Sequence, residues 1–143
     1  MFALDAIVKE AEVRVRFAGD IDPSRFLIVL DGPLADVEVA LQRGIDVAAD
    51  DLLETLLLPR AHHDLRAALA GSLTPPDEPS ASEATIGVLQ CHTVISTLAA
   101  TDRALKAAQT ALLRLRLATE LAGQGHAILC GEQFDVDEAL QAA

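Results

Sequence analysis

The amino-acid sequence predicts an α+β fold made of two similar segments, and three observations support this prediction. Apolar residues alternate with polar ones in some stretches, as in half-buried strands, and recur with the period of a helix in others. Residues 71–82 are rich in proline and serine and have no apolar period, which is typical of an exposed linker. The segments on either side of this linker, residues 1–70 and 83–143, share several short runs of residues in the same order.

The first segment is predicted to contain five elements. The alternation of apolar and polar residues indicates a strand and places Arg14 and Arg16 on one face of it. Pro33, after an Asp-Gly turn, favours the start of a helix, and Pro59 ends the last apolar run. The predicted order is a helix over 2–11, strands over 13–17 and 25–30, a helix over 34–50 and a strand over 52–58.

The second segment shows the same kinds of pattern. An apolar run follows the linker, an alanine-rich helical stretch comes next, and Gly123 and Gly125 lie in a loop between two further strands. The predicted order is a strand over 84–91, a helix over 94–109, strands over 112–118 and 126–130, and a helix that begins at Asp135.

Matched residues indicate that the two segments are copies of one unit. Asp5 and Lys9 of the first helix correspond to Asp102 and Lys106 of the helix after the linker. Further matches are 13–18 with 113–118, 36–38 with 135–137 and 40–42 with 139–141. Combined, the copies have the order β-α-β-β-α-β, which is the ferredoxin-like topology, an antiparallel sheet with two helices on one face.

Each copy lacks one element of this order. The first has no opening strand and the second has no closing strand, and an unfilled position in a sheet leaves backbone donors and acceptors unpaired. We therefore expect the strand over 84–91 to enter the sheet of the first copy, so that residues 13–109 form a circularly permuted domain. A tandem chain that is incomplete at one or both ends is the alternative.

Composition and charge narrow the class of function. The chain has 22 acidic and 11 basic side chains and a net charge of −11, so nucleic acid and anionic membrane surfaces would be repelled. We find no apolar run of membrane-spanning length, no export signal and too few cysteines for a disulfide framework, and we expect a cytoplasmic protein. Aromatic residues make up 3% of the chain, which argues against stacking on bases or flat cofactors.

Reactive residues form no recognisable catalytic or cofactor motif. His62 and His63 are adjacent, and adjacent side chains diverge, so we do not expect them to share a metal ion. Cys91 precedes His92, but such a pair needs a third group to orient the base, and Cys91 and Cys130 are interpreted as small core residues. We therefore predict no catalytic residue, no cofactor and no metal.

Several short motifs resemble those of bacterial microcompartment (BMC) shell proteins, and particularly of their tandem-domain, trimer-forming branch. The second copy has a glycine in its first strand and then an Asp-x-x-x-Lys-Ala-Ala helix, as this family does. The first copy resembles the second half of a family domain, and its Pro-Arg-Ala-His run resembles the family's Pro-Arg-Pro-His signature. The motifs are 26–32, 36–40, 57–62, 86–89 and 101–108.

This resemblance implies flat, six-sided tiles, each a pseudo-hexamer of three double-domain chains with a central metabolite pore. Lys9 and Lys106 match the family's edge lysine, which donates to backbone carbonyls of a neighbouring tile. Arg60 matches the arginine that reaches into the adjacent tile, and His62 lies beside it in the sequence. The implied partners are a homo-oligomer, expected to be a trimer, other shell proteins and encapsulated enzymes, in the shell of a microcompartment.

The resemblance places the pore at the loops between the two middle strands of each copy. Three copies of Asp20 and Asp22 around one axis would favour cations or neutral solutes over anions. Some tandem members hold an iron–sulfur cluster through a cysteine in this loop, and Asp22 lies near that place here, so we predict no cluster. The pore-loop residues are Asp20, Ile21, Asp22, Pro23 and Ser24 in the first copy and Leu121, Ala122, Gly123 and Gln124 in the second.

Two other classes of function remain open at this point. Paired ferredoxin-like domains also occur in small-molecule-sensing or adaptor modules, which do not tile. An enzyme that uses Cys91 and His92 would need an activated thiolate. The fold alone does not choose among these functions.

Overall fold

A computed structural model describes residues 2–76, 85–117 and 124–143 of the chain. The packing of the chain separates two units, the first comprising Met1–Asp20 and Ser24–Pro59 and the second comprising Ile21–Pro23 and Arg60–Ala143. Residues 71–76 of the predicted linker belong to the second unit, and residues 77–82 lie outside the described residues.

The first unit contains most of the elements that its apolar pattern predicts. They are α1 (Phe2–Glu10), β1 (Arg14–Ile21), β2 (Arg25–Asp31) and α2 (Leu34–Ala48), followed by a 3₁₀ turn over Ala49–Asp51. The last residue of β1, Ile21, is counted with the second unit. Strands β1 and β2 form a two-stranded sheet, and Pro33 lies at the start of α2, where its fixed φ suits a helix. Both helices and both of these strands are confirmed.

Helix α1 packs against helix α2 at a glycine. A Cβ atom added at Gly44 would lie 2.9 Å from Cδ1 of Ile7, so the missing side chain lets the two helices approach closely. Ile7 is 4% exposed, Ala40 of α2 is fully buried, and Leu27 of β2 is buried as well. The described core of the first unit is therefore small and aliphatic.

Two arginines of β1 bind one carboxylate of β2. Arg14 Nε donates to Asp31 Oδ1 over 2.9 Å, and Arg16 donates to Asp31 Oδ2 through Nε at 2.8 Å and Nη2 at 2.6 Å. Burial acts to raise the pKa of Asp31, but the hydrogen bonds and charges of Arg16 and Arg14 together outweigh it and hold the pKa below 3.8. The prediction that both arginines share one face of β1 is confirmed.

The apolar run over 52–58 is not a strand in the described structure, so this prediction is wrong. Its composition is typical of a strand, but a strand also needs a neighbour whose backbone it can pair with. Among the described residues of the first unit, only β1 and β2 pair. Leu52 and Leu53 are 38% and 69% exposed, so the run is not buried along its whole length.

The described part of the second unit contains a three-stranded sheet with helices packed on it. Its elements are α3 (His63–Leu69), β3 (Thr85–Cys91), α4 (Val94–Ala107), β4 (Ala111–Leu117), β5 (Gly125–Gly131) and α5 (Gln133–Ala142). Strand β5 is central and pairs antiparallel with β3 on one side and β4 on the other. Apart from α3, each element matches a predicted one, so the predicted α+β class with antiparallel pairing is confirmed.

Helix α3 is an element that the sequence patterns did not predict. It is only seven residues long, so it offers too few apolar positions for a helical period to be recognised. It ends at Leu69, and after the C-cap residue Ala70 comes Gly71, whose φ of 69° is left-handed. The N–H groups of Gly71 and Ser72 donate to the carbonyls of Ala68 and Ala67 over 3.1 and 2.9 Å, which satisfies the last turn.

Strand β3 pairs with β5 of its own copy, from Thr85 opposite Gly131 to Cys91 opposite Gly125. The expectation that residues 84–91 enter the sheet of the first copy is therefore wrong, and the copies are arranged in tandem. That expectation rested on the number of strands and helices in each copy. It took no account of how closely a given strand and helix can pack. A Cβ added at Gly87 of β3 would lie 2.9 Å from Cγ1 of Val136, so α5 of the same copy packs directly on β3.

The core of the second unit is formed by aliphatic side chains from its helices and strands. Helices α4 and α5 both pack on β3 and β5, while α3 packs on β4 and α4. Close packing again requires a glycine, because a Cβ added at Gly125 would lie 2.7 Å from Oγ1 of Thr97 on α4. The larger aliphatic side chains buried in this core are Leu65, Val94, Leu98, Leu105, Leu112, Leu129 and Val136.

We expect the Gly125→Ala variant to lower the free energy of unfolding by about 1–3 kcal/mol, because the new methyl group overlaps the buried Thr97 side chain. Gly19→Ala in β1 is the matched control, since its Cβ would lie 3.4 Å from the nearest atom of the Phe17 ring. Urea unfolding followed by circular dichroism measures both. Equal stability of the two variants would contradict the packing described for Gly125.

Candidate functional site

The residues that the resemblance assigns to a tile edge lie in both units. Lys106 is near the end of α4, and Arg60 and His62 are in the segment that leads into α3. These three residues belong to the second unit, although Arg60 and His62 precede the linker in the sequence. Lys9 is near the end of α1 in the first unit.

Asp102 on α4 joins His62 to Lys106. Its side chain is 4% exposed, and its Oδ1 atom accepts a hydrogen bond of 2.8 Å from the backbone N–H of His62. Its Oδ2 atom lies 2.5 Å from Nζ of Lys106, one helical turn further along α4. A buried carboxylate destabilises a fold unless it is paired and hydrogen-bonded, and here both oxygens are engaged. Asp102 therefore attaches the segment before α3 to α4.

The sequence carries a signal for Asp102 beyond its match in the repeat, and this signal is independent of the family-like motifs. Leu98, Asp102 and Leu105 follow the i, i+4, i+7 spacing of one helix face, and both leucines are buried. A single acid on an apolar helix face must find a partner inside the fold. This spacing predicts a structural carboxylate at Asp102.

His62 and Asp64 hold the N-terminus of α3. Nδ1 of His62 accepts a hydrogen bond of 3.3 Å from the backbone N–H of Asp64, which makes His62 the N-cap residue. Oδ2 of Asp64 accepts a hydrogen bond of 3.1 Å from the backbone N–H of Leu112, which attaches α3 to β4. Leu65, the next residue of α3, is fully buried. The short helix is thus fixed by polar contacts at its start and by the burial of Leu65.

His62, His63 and Asp64 also form a group of possible metal ligands. One ligand atom from each lies within 4.8 Å of the others, and the two imidazole centroids are 4.2 Å apart, so the expectation that these histidines diverge is wrong. A neutral imidazole has one acceptor nitrogen, and in His62 that nitrogen is Nδ1, which accepts the cap hydrogen bond. A metal ion would have to displace the cap, and we assign no metal to this group.

The pKa of His62 lies below its ordinary value of 6.5. Burial of the ring is the main cause, followed by the neighbouring charge of His63, and Lys106 acts in the same direction. The carboxylates of Asp64 and Asp102 oppose this shift but are outweighed. Because only the neutral ring can accept at Nδ1, the lowered pKa favours the cap.

Lys9 forms the matching ion pair in the first unit, in a more exposed environment. Its Nζ atom lies 2.7 Å from Oδ2 of Asp5, and the two side chains are 71% and 64% exposed. The corresponding values for Lys106 and Asp102 are 44% and 4%. Exposed pairs of this kind contribute little to stability because water screens them and both side chains lose freedom.

The first predicted pore loop, residues 20–24, is mostly exposed. The side chains of Asp20, Asp22, Pro23 and Ser24 are exposed, whereas Ile21 is 9% exposed. In the second predicted pore loop, Leu121, Ala122 and Gly123 lie outside the described residues. Gln124 is described, and its Oε1 atom accepts a hydrogen bond of 2.6 Å from Nε2 of Gln90.

The cysteines differ in burial. Cys130 is buried, and burial together with the charge of Asp64 raises the pKa of its thiol, which disfavours the nucleophilic thiolate. Its interpretation as a core residue is confirmed. Cys91 is partly buried, and His92, which follows it, is exposed.

Comparison with protein families identifies the family to which this chain belongs. The family model for the BMC domain matches residues 1–61 and 85–143, one match in each copy. The chain belongs to the BMC-domain family. The resemblance stated from the sequence motifs is therefore confirmed, including the tandem arrangement of two domains.

Curated relatives of this BMC-domain chain are shell proteins. It is 32% identical over 143 residues to the bacterial microcompartment shell protein PduT of Citrobacter freundii, covering all of this chain and 75% of that protein. It is 26% identical over 81 residues to the carboxysome shell protein CcmK3 of Synechococcus elongatus, covering 54% of this chain and 79% of that protein.

Solved structures with the same fold come from microcompartments as well. A microcompartment protein from Desulfitobacterium hafniense DCB superposes with a TM-score of 0.86 at 26% identity, over 99% of this chain and 76% of that chain. The fused permuted hexameric shell protein MSM0275 of the RMM microcompartment superposes with a TM-score of 0.65 at 20% identity, over 99% and 71%, which is a likeness of fold.

Membership of this family gives the BMC-domain chain a structural role in a microcompartment shell. Proteins of the family oligomerise and assemble with other shell proteins. Among the described residues, none of the helices has the length and apolar character to span a bilayer.

We expect His62→Ala to lower the free energy of unfolding by about 1 kcal/mol at pH 7.5, because α3 loses its cap, whereas His62→Asn keeps an acceptor and changes it less. Because the folded-state pKa of His62 is below 6.5, its contribution is present above pH 6.5 and is lost as the pH falls through the folded-state pKa. Urea unfolding between pH 7.5 and 5.5 checks this. The Asn variant should lack that part of the pH dependence. An unchanged slope would contradict the lowered pKa of His62, and equal stability of the Ala variant and the unaltered chain at pH 7.5 would contradict the cap.

Proposed function

We propose that three copies of this chain form a six-sided tile of a microcompartment shell. The observation that carries the proposal is the presence of two BMC domains in one chain, each with the same Asp-x-x-x-Lys helix. A tile with six domain positions then needs three such chains around a threefold axis. The role proposed for the chain is structural, without catalysis.

The proposed contacts between tiles involve Lys9, Lys106, Arg60 and His62. An ammonium group carries three donors, which suits it to backbone carbonyls across a two-fold contact. Lys106 bonds to Asp102 and is still 44% exposed, so it retains donors for a neighbouring tile. Arg60 is exposed in the turn before His62, which suits a side chain that reaches outward.

The proposed pore is lined by Asp20–Ser24 of the first copy and by Leu121–Gln124 of the second. The exposure of Asp20 and Asp22 supports this assignment for the first loop. Three copies of each carboxylate around an axis would favour cations or neutral solutes over anions. Ile21 of this loop is buried, so its side chain offers little surface to a solute.

Exposed apolar side chains support association with further subunits. Ile86 and Val88 on β3 are 61% and 60% exposed, and Phe134 at the start of α5 is 88% exposed. Burial of such side chains against another chain is favourable by about 25 cal/mol for each Å². Other shell proteins and encapsulated enzymes are the proposed further partners.

The proposal is tested by negative-stain electron microscopy at low and high protein concentration, together with the native mass. Six-sided particles that contain three chains, and lattices of them at high concentration, are expected. Small round monomers or dimers at every concentration would contradict the proposal and favour a sensing or adaptor module.

We expect the double variant Lys9→Gln, Lys106→Gln to lose the lattices and keep the mass of three chains. Glutamine retains hydrogen-bond donors for Asp5 and Asp102 but removes the charge that would bind carbonyls across the edge. Electron microscopy and the native mass are the measurements.

The matched control for this variant is Arg103→Gln, which removes one exposed positive charge from α4. It should form lattices like the unaltered chain. Normal lattices from the double lysine variant would show that the lysines are not edge contacts. Loss of the three-chain mass in that variant would place them inside the tile.

Asp22→Ala is expected to change neither the native mass nor the lattices, because the side chain is exposed and would face the pore. Native mass spectrometry and electron microscopy measure this directly. If the variant lost the three-chain mass, Asp22 would belong to a contact between subunits and the pore assignment would be wrong.

A further inference from the structure

The chain has only two lysines, and both occupy the matched position of the repeated helix. Its other nine basic residues are arginines. Arginine binds best through a planar fork, whereas the lysine ammonium is a compact charge with three donors. The chain therefore uses lysine only near the ends of α1 and α4. The contacts of each ammonium group indicate what it can bind.

Lys106 is held by a carboxylate that cannot turn away from it. One oxygen of Asp102 accepts from the backbone N–H of His62 at 2.8 Å, and the other lies 2.5 Å from Nζ of Lys106. The Asp102 side chain is 4% exposed, so water cannot take the place of either partner. The position of the Lys106 ammonium is thus set by the fold of the second unit.

We infer that Asp102 is a positioning residue for the contact between tiles. It orders the Lys106 ammonium before a neighbouring tile arrives, and it fixes the segment that carries Arg60 and His62. This inference rests on the proposed function, because it assumes that Lys106 lies at the tile edge. Asp102 itself is buried and acts through the residues it holds.

Ordering a lysine in advance should strengthen association. A long side chain that is immobilised only on binding weakens association by about three- to tenfold, because its rotamer freedom is lost at that step. Lys106 has lost much of this freedom on folding. Two of its three N–H donors remain for carbonyls of a neighbouring tile, and its 44% exposure keeps them accessible.

The same carboxylate couples the two proposed edge segments of the second unit. Because Oδ1 of Asp102 binds the His62 N–H and Oδ2 binds Lys106, loss of its charge would affect both. The Lys9 pair offers an internal comparison, since Asp5 is 64% exposed. Neutralising Asp5 should therefore disturb Lys9 much less than neutralising Asp102 disturbs Lys106.

The first test measures the lowest protein concentration at which lattices form, by light scattering and electron microscopy. Asp102→Asn keeps an amide oxygen for the His62 N–H and replaces the oxygen that binds Lys106 with an NH₂ group. This variant should need about three- to tenfold more protein to form lattices. The matched control, Asp5→Asn, should change the threshold by less than about twofold.

The second test uses the two lysines as reporters in dilute, unassembled protein. Limiting acetic anhydride followed by peptide mass spectrometry gives the acetylation rate of each one. In the unaltered chain Lys106 should react more slowly than Lys9, because its nitrogen is hydrogen-bonded to a buried carboxylate. In Asp102→Asn, Lys106 should react about three- to tenfold faster and Lys9 at its original rate.

The outcomes separate this inference from the proposed function. If the double lysine variant loses lattices but Asp102→Asn keeps the original threshold and the original Lys106 rate, the edge stands and the positioning role is wrong. If Asp102→Asn lowers the threshold, Asp102 withholds the ammonium from the neighbour and the inference is overturned. If Asp102→Asn does not fold, the unaltered chain still tests the inference. Acetylation of Lys106 as fast as that of Lys9, or faster, would overturn it.

Discussion

The buried carboxylate of Asp102 is the interaction on which the second unit depends. An acid on the apolar face of α4 would destabilise the fold if it stood alone, and its two partners come from different parts of the chain. Lys106 lies one turn along the same helix, whereas the His62 N–H is forty residues away in sequence. The charge can be buried only when the segment before α3 is in place, so local and long-range structure require each other.

Helix α3 owes its existence to contacts that its own sequence does not show. Asp102 fixes the backbone at its start, and Asp64 accepts the Leu112 N–H from β4. Leu65 is fully buried and attaches the helix to the core of the second unit. A helix this short is marginal in isolation, because forming the first turn is unfavourable, and tertiary contacts have to supply its stability.

Most elements could be predicted because their patterns are local. The alternation of side chains along β1 was enough to predict that Arg14 and Arg16 share one face, but not that both bind Asp31. The run over 52–58 shows the limit, since it has the composition of a strand and no pairing neighbour among the described residues. The pairing of strands is a non-local property. The partner of β3 was predicted from the number of elements in each copy, and this gave the sheet of the first copy in place of β5.

The candidate site was predictable in part for the same reason. Lys106 and His62 were found through motifs that resemble those of a family, and motifs record residues without their partners. Asp102 was found as a repeat match and as part of the Asp-x-x-x-Lys motif, but neither pattern indicates that it lies on the buried face of α4. Its dependence on the His62 backbone could not be read from side-chain types, because any residue at that position offers the same N–H except proline.

The attachment of α3 also determines where this gene product can be divided. The sequence predicts a linker between the two copies over residues 71–82, but the second unit already includes Arg60 and the residues that follow it, together with Ile21–Pro23. A cut in the linker would leave Leu65 without its cover in one fragment and Asp102 without its N–H donor in the other. Recombination or fusion that keeps the second domain intact must therefore transfer residues 60–70 with it, so the modules of the fold and the modules of the sequence are not the same.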